Sequence, residues 1–334
     1  MEKVIGIGNA LTDILIAIPS DDMLGRLGLP RGSMSLVDAA SHLTISKATA
    51  DLPRTLSLGG SAGNTIRAMA RLGRNAGFIG KVGSDGTGDF YIQALNNLDI
   101  QPVIFRGRER SGRCISLVSP DGERTMATYL GAAIELEDTE VRLNYFEGFD
   151  YLYIEGYLVQ NHDLIRNVAM MAKKAGLKVA IDLASYNVVN ENFDFLHSLV
   201  RDCVDILFAN QEEARAFTGE SDPRKAVDII ARDCRIAVVK IGTRGAYIRR
   251  GNEEVLHVGI LAAAHRLDTT GAGDYYAAGF LYGLCNGLSL RQCATIGAIL
   301  AGKVIEVVGT TFGEDVWGEI ETLISDVRND RCLF

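Results

Sequence analysis

The sequence has little proline, little histidine and no organised cysteine. Its 334 residues hold 6 prolines against 36 glycines, so the loops take their shape from glycine, which suits tight turns and close approach of backbone to a ligand. No two of Cys114, Cys203, Cys234, Cys285, Cys293 and Cys332 fall in a Cys-x-x-Cys spacing, and there are only 5 histidines. This argues against a structural zinc site, and the scattered thiols read as buried small hydrophobes in a reducing compartment. There is no run of Lys or Arg long enough for a basic stripe. With 34 basic and 42 acidic residues the net charge is −8, so nucleic acid is not an expected partner. No stretch of 18 apolar residues exists, which leaves nothing to span a membrane. The segment 1–19 carries acids and lacks a cleavage-site pattern, and reads as a strand entering a fold, not a signal peptide. The expectation is a soluble cytoplasmic protein, a monomer or homodimer.

What is present is an α/β rhythm. At 47% hydrophobic and 23% charged residues the chain is not disordered, and its length allows about two domains or one large domain with an appendage. Val4 to Gly8 is an apolar strand. Residues 11–58 read as irregular, with strand-like pieces at Ile14 to Ile18 and Met34 to Val37. A helix opens at the Gly59-Gly60-Ser61-Ala62-Gly63-Asn64 segment, with Ile66, Met69, Ala70 and Leu72 at helical spacing and Gly73 closing it. Ala76 to Gly80 is a buried-type strand. Gln101 to Arg106, Arg113 to Val118 and Arg124 to Leu130 read as a small antiparallel sheet turning at Pro120-Asp121-Gly122. With the pieces in 11–50, residues 101–131 are expected to form a lid. From Tyr151 onward strands and helices alternate. Asn161 caps a helix whose Leu164, Ile165, Val168, Ala169 and Ala172 face inward, and Ser289 with Gln292 forms a capping box. Such units build a doubly wound, mostly parallel sheet with helices on both faces, and ligands bind at the carboxyl ends of its strands.

Two motifs are decoys. Gly297 to Val304 resembles a phosphate-binding loop but lacks the Ser/Thr and lies in a helical pattern, and Gly6-Ile7-Gly8 is followed by Leu11 where a dinucleotide fingerprint needs glycine. The informative segment is Asp268-Thr269-Thr270-Gly271-Ala272-Gly273-Asp274. Its glycines let the amides of 271–273 converge at a helix N-terminus and form an anion hole. An acid there repels phosphate unless it takes a proton from an attacking hydroxyl. The competing reading of Asp274 is a helix-start carboxylate favoured by the dipole.

Asp268 to Asp274, preceded about 210 residues earlier by Gly59-Gly60-Ser61-Ala62-Gly63-Asn64, resembles the paired signatures of the ribokinase-like (PfkB) carbohydrate and nucleoside kinases. Gly80 to Gly83 with Asp85, Asn210 to Glu213 and Lys240 to Gly245 are similar to further family segments. Gly8 to Asp13, Gly60-Ser61, Leu29 to Met34 and Gly122 to Met126 resemble the adenosine kinase branch. The resemblance implies an ATP-dependent phosphotransferase acting on the 5′-hydroxyl of a nucleoside, with a sugar or sugar acid as the alternative acceptor. It implies that Asp274 is the base and that Gly271, Ala272 and Gly273 form the anion hole. Asn9, Asp13, Gly60, Ser61 and Asn64 would hold acceptor hydroxyls. Asn210, Lys240, Gly242, Thr243 and Gly245 would lie along ATP, and Asn210 with Glu213 would organise Mg²⁺ through water. The carbonyls of Asp268, Thr270, Val304, Val307 and Gly309 would hold K⁺ or another monovalent cation.

Simpler roles compete for several of these residues. Asn64 can start a helix, Glu213 can be a solvated helix acid and Asp13 can cap a turn. Glu155 reads equally as a substrate contact or a turn residue. Tyr275-Tyr276 departs from many relatives, which leaves the pocket shape near the reacting hydroxyl open.

Overall fold

Apolar runs that end in polar or glycine residues become strands, and the computed structural model, which describes residues 2–263, 265–331 and 334, sorts them into two sheets. In chain order the strands are β1 (Val4–Ile7), β2 (Leu11–Ala17), β3 (Met34–Leu36), β4 (Arg54–Gly59), β5 (Ala76–Gly83), β6 (Ile100–Gly107), β7 (Gly112–Val118), β8 (Arg124–Tyr129), β9 (Tyr151–Glu155), β10 (Lys178–Asp182), β11 (Ile206–Asn210), β12 (Ile236–Lys240), β13 (Ala246–Arg250) and β14 (Leu256–Val258). The large sheet has nine strands in the order β14-β13-β12-β11-β10-β9-β1-β5-β6. Every pairing from β6 to β12 is parallel, and β13 alone is reversed, pairing antiparallel with β12 and β14.

Alternation along the central strands divides the interior. Tyr153, Ala180, Phe208 and Val238 face a core shared with the helices Ser61–Arg71, Ala272–Cys285, Leu290–Val304 and Glu314–Arg328. Their neighbours Ile154, Ile181, Leu207 and Val239 face a second core under His162–Lys174, Phe193–Cys203, Gln211–Thr218 and Pro223–Ile230. A strand buried on both faces is nearly continuous in apolar residues, as these are. The doubly wound reading therefore holds. The false phosphate loop lies inside Leu290–Val304, where its glycine serves packing: a Cβ at Gly297 would come within 2.8 Å of the Tyr276 carbonyl. The five described cysteines are free and buried, and Cys332 lies outside the described residues. Among the described residues no helix is long and apolar enough to cross a membrane.

The small sheet has the order β3-β8-β7-β2-β4. It differs from the expected lid in three ways. Residues 100–107 are absent from it, because β6 pairs in parallel with β5 at the edge of the large sheet, a place where Pro102 is tolerated. Residues 54–59 belong to it, as β4. It is mixed, since β2 pairs in parallel with β7 and β3 with β8. Segment 11–58 is also less irregular than it reads. Helices Asp22–Leu27 and Ala39–Ala48 cover one face of the small sheet, where Ile16, Leu24, Ile45, Ile115 and Leu117 form a separate apolar core.

Candidate active site

The carboxyl ends of β1, β9, β10, β11 and β12 open into one cavity of about 1250 Å³, whose far wall is the uncovered face of the small sheet. All the residues singled out from the sequence line it except Asp268, Val304, Val307 and Gly309.

Asp274 sits in the first turn of Ala272–Cys285. Its Oδ1 accepts from Ser61 Oγ at 2.6 Å and its Oδ2 from Asn64 Nδ2 at 2.9 Å. The two signatures, distant in sequence, thus meet on one carboxylate. Ser61 and Asn64, expected on acceptor hydroxyls, are both hydrogen-bonded to Asp274. Asn64 does not start its helix: the helix begins at Ser61 behind Gly60, at φ 81°, and places Asn64 one turn inside with 4% exposure. Burial pushes the Asp274 pKa up to about 6, against the hydrogen bonds of Ser61 and Asn64 and the charge of Lys240. A carboxylate raised this far is still mostly ionised at neutral pH and is a better proton acceptor than an exposed one.

Fewer amides converge here than the sequence leads one to expect. Thr269 to Ala272 closes a turn, with the Ala272 N–H donating to the Thr269 carbonyl at 3.2 Å and Gly271 at φ 77°. A turn of this kind needs glycine at its third position. Ala272 therefore gives its amide to the turn, while the amides of Gly271 and Gly273 have no partner among the described residues. Lys240 Nζ stands over this point, since a Cβ on Gly273 would come within 3.2 Å of it.

Lys240 also donates to Asp182 Oδ2 at 2.6 Å. Burial would lower the lysine pKa, but the carboxylates of Asp182 and Glu213 reverse this and raise it. Asp182 was missed in the sequence; its one signal is an acid closing the apolar run Val179-Ala180-Ile181. Glu213 is not a solvated acid. It is 3% exposed, and its Oε2 accepts the Asn210 N–H at 2.7 Å while Asn210 Oδ1 accepts the Glu213 N–H at 2.9 Å. This is a capping box at the start of Gln211–Thr218. Burial, then the charge of Asp182, pushes the Glu213 pKa up to about 7. Gly242, Thr243 and Gly245 follow β12 on the same wall, opposite Ala301 and Ile305.

At the other end, Glu155 is neither a turn residue nor exposed. It is 2% exposed at the end of β9, accepting from Asn9 Nδ2 at 2.7 Å and from the Ala62 N–H at 3.0 Å. Burial pushes its pKa up to about 7 despite both donors. Glycine at position 8 makes room for it, since a Cβ there would come within 2.5 Å of Glu155 Oε2. The bracing leaves Asn9 Oδ1 buried with no partner. Asp13, on β2, accepts no hydrogen bond among the described residues, and burial pushes its pKa up to about 6 against the charges of Arg124 and Arg67. The carboxylate is half-buried on the cavity wall, where its oxygens are open to a ligand.

The segments expected to hold a monovalent cation do lie together. The N–H groups of Leu267 and Asp268 both donate to the Ile305 carbonyl, and the Gly309 N–H donates to Asp268 Oδ2 at 3.0 Å. The Asp268 carboxylate itself is paired with Arg124 of β8, both side chains being 6% exposed.

The pfkB family carbohydrate kinase profile matches residues 52–317. The crystal structure of an adenosine kinase from Sinorhizobium meliloti is 34% identical and covers 96% of this chain and 99% of its own, with a TM-score of 0.84. A probable sugar kinase from Rhizobium etli is 32% identical over 96% of this chain and 98% of its own, also at a TM-score of 0.84. A 5-dehydro-2-deoxygluconokinase from Geobacillus thermodenitrificans is 28% identical over 295 residues, 83% of this chain and 86% of its own. With the two signatures joined at Asp274, the chain belongs to the pfkB family of carbohydrate kinases, enzymes that transfer a phosphoryl group to an alcohol.

Proposed function

We propose that this kinase phosphorylates the 5′-hydroxyl of adenosine or a related nucleoside. The observation that carries this reading is the apolar acceptor end of the cavity. Beyond Asn9 and Asp13 it is walled by Leu11, Met34, Leu36, Met126, Leu136 and Leu158. A planar base gains from burial against such a wall, at about 25 cal/mol per Å². A sugar acid gains little there and requires a cation for its carboxylate. Of the four cationic side chains that line the cavity, Arg124 and Lys240 are paired with Asp268 and Asp182 and Arg244 donates to Gln211 Oε1, which leaves Arg266 as the candidate partner of a sugar acid's carboxylate. The test is a panel of nucleosides, free sugars and sugar acids in a coupled ADP-release assay. Adenosine or a near relative is expected to give the highest kcat/KM. A sugar acid or free sugar ahead of every nucleoside would replace this reading with the sugar-kinase alternative.

In the proposed reaction the ribose of the acceptor rests on Asp13. Asp274 takes the proton of the hydroxyl as its oxygen attacks the γ-phosphorus. The new P–O bond forms while the bond to the β-phosphate oxygen breaks, and ADP leaves. The amides of Gly271 and Gly273 and the ammonium of Lys240 stabilise charge on the transferring group. Kinases of this family take the phosphoryl group from ATP, typically with Mg²⁺. Among the described residues no three His, Cys, Asp or Glu side chains are grouped to hold a metal. Asn210 and Glu213, engaged with one another, fit contact through water better than direct ligation. A bound Mg²⁺ supplies charge neutralisation at the phosphates. The small sheet would close over the bound acceptor and keep water from the γ-phosphate.

A monovalent cation near Asp268 would rest on backbone carbonyls beside the Arg124 guanidinium, because the carboxylate is already paired. Only modest activation is expected when KCl replaces tetramethylammonium chloride at matched ionic strength. Equal rates in the two salts would remove the site from the mechanism.

A further inference from the structure

Arg67 is a buried guanidinium with no salt bridge to a carboxylate among the described residues. It is 7% exposed, in the helix Ser61–Arg71 beneath the cavity floor. Its hydrogen bonds go to neutral groups: Nη1 donates to the Leu58 carbonyl at 2.7 Å, and Nη2 donates to the Thr310 carbonyl, to Thr310 Oγ1 at 2.8 Å and to Asn64 Oδ1 at 3.2 Å. A buried charge is ordinarily paired, so its retention here calls for a reason.

The reason lies in the Asn64 amide, which stands between an all-donor group and an all-acceptor group. Arginine has no acceptor and an ionised carboxylate has no donor. Only one orientation of the amide satisfies both: oxygen toward Arg67, nitrogen toward Asp274. Thr310 Oγ1 donates to the same Asn64 oxygen at 3.2 Å and supports that choice. The guanidinium polarises the amide, and the amide then donates more strongly to Asp274 Oδ2. Arg67 also ties Leu58, near the end of β4, to Thr310, which packs on Gly271: a Cβ there would come within 2.7 Å of Thr310 Cγ2.

We propose that Arg67 is a positioning residue for the catalytic base, acting through the Asn64 amide to aim and ionise Asp274. The inference rests on Asp274 being the base, which the Asp274→Asn variant decides separately.

The test is a double-mutant cycle on kcat, run with the acceptor the wild type prefers, whichever class that is. Arg67→Met is expected to lower kcat about ten- to hundredfold, the range for a lost hydrogen bond to a charged group, with the KM for ATP little changed. In an Asn64→Ala background the same substitution is expected to cost less than about threefold, because effects transmitted through one residue do not add. The acid limb of kcat at saturating acceptor should also move to higher pH in Arg67→Met, since the base loses support for its charged form. The other groups facing Asp274 are Lys240 on β12, Asp182 on β10, Glu155 and Tyr153 on β9, and Tyr157. None of them is altered; Asp13 on β2, whose pKa the Arg67 charge also holds down, acts on acceptor binding and drops out at saturating acceptor, so the kcat shift reports Asp274. If Arg67→Met does not fold, as read from its melting temperature, Arg67→Lys takes its place in the same cycle. Losses that multiply in the Asn64→Ala background, or an unmoved acid limb, would overturn the proposal.

Discussion

Asp274→Asn is expected to remove between a hundredfold and ten-thousandfold of kcat, the range general-base catalysis supplies, while binding of acceptor and ATP persists. The side chain stays the same size, and its oxygen can still accept from Ser61 or Asn64. The carboxylate pKa is raised to about 6 by burial, above its unfolded value, so the ionised form is a net cost to the fold at neutral pH. The amide removes that cost, and the melting temperature is expected to hold or rise. Loss of activity with retained stability separates a missing base from a damaged fold. The same pKa fixes the pH profile of the wild type. The base works only when deprotonated, so kcat/KM falls as pH drops through about 6 and is flat above. Turnover within about threefold of wild type, well inside the range that a base supplies, would end the role of Asp274.

Asp13→Ala should lower acceptor kcat/KM tenfold or more and leave the KM for ATP nearly unchanged. The motivation is the bare carboxylate on β2, buried enough to raise its pKa to about 6 and without a donor among the described residues. Each hydrogen bond to a charged group contributes roughly 1.5–3 kcal/mol, and a ribose offers two neighbouring hydroxyls to one carboxylate. A 2′-deoxynucleoside should therefore lose efficiency with the wild type and almost none further with Asp13→Ala. The variant is also expected to melt no lower than the wild type, because the pKa of Asp13 is raised in the fold, so its ionised form costs stability at neutral pH. Unchanged acceptor kinetics would mean that Asp13 does not hold the ribose.

The parts of this structure that were legible in the sequence are those written in local pattern. The helix His162–Lys174 buries the five side chains read as inward-facing, under its Asn161 cap. The Ser289–Gln292 capping box is formed in both directions. Strands buried on both faces, such as Tyr151–Glu155, read clearly because apolar continuity is itself the signal. What was missed depends on partners far along the chain. β6 carries exposed Gln101 and Arg106 and reads like a strand of a small sheet; only its pairing with β5 places it at the edge of the large one. Asn64, read as an acceptor contact with a helix start as its simpler role, is aimed at Asp274, a partner 210 residues away that no local pattern announces. The fate of the Ala272 amide was set by turn geometry, which the letters alone leave open. Asp182 and Arg67 belong to neither signature, and their place beside Lys240 and Asn64 exists only after the sheets have assembled.

The parallel pairing of β2 with β7 also bears on how the chain folds. These neighbours are separated by the whole of residues 18–111, and within that span β5 and β6 enter the other sheet. Pairing of β2 with β7 is therefore expected to follow formation of that intervening βαβ unit. Long-range pairing of this kind carries a loop-closure cost before any contact repays it. The small sheet, with its own separate apolar core, is then a late-forming cooperative unit and correspondingly an early one to open under native conditions. Its backbone amides are therefore expected to exchange with solvent sooner than those of the large sheet, and a bound ligand on its inner face to slow that exchange.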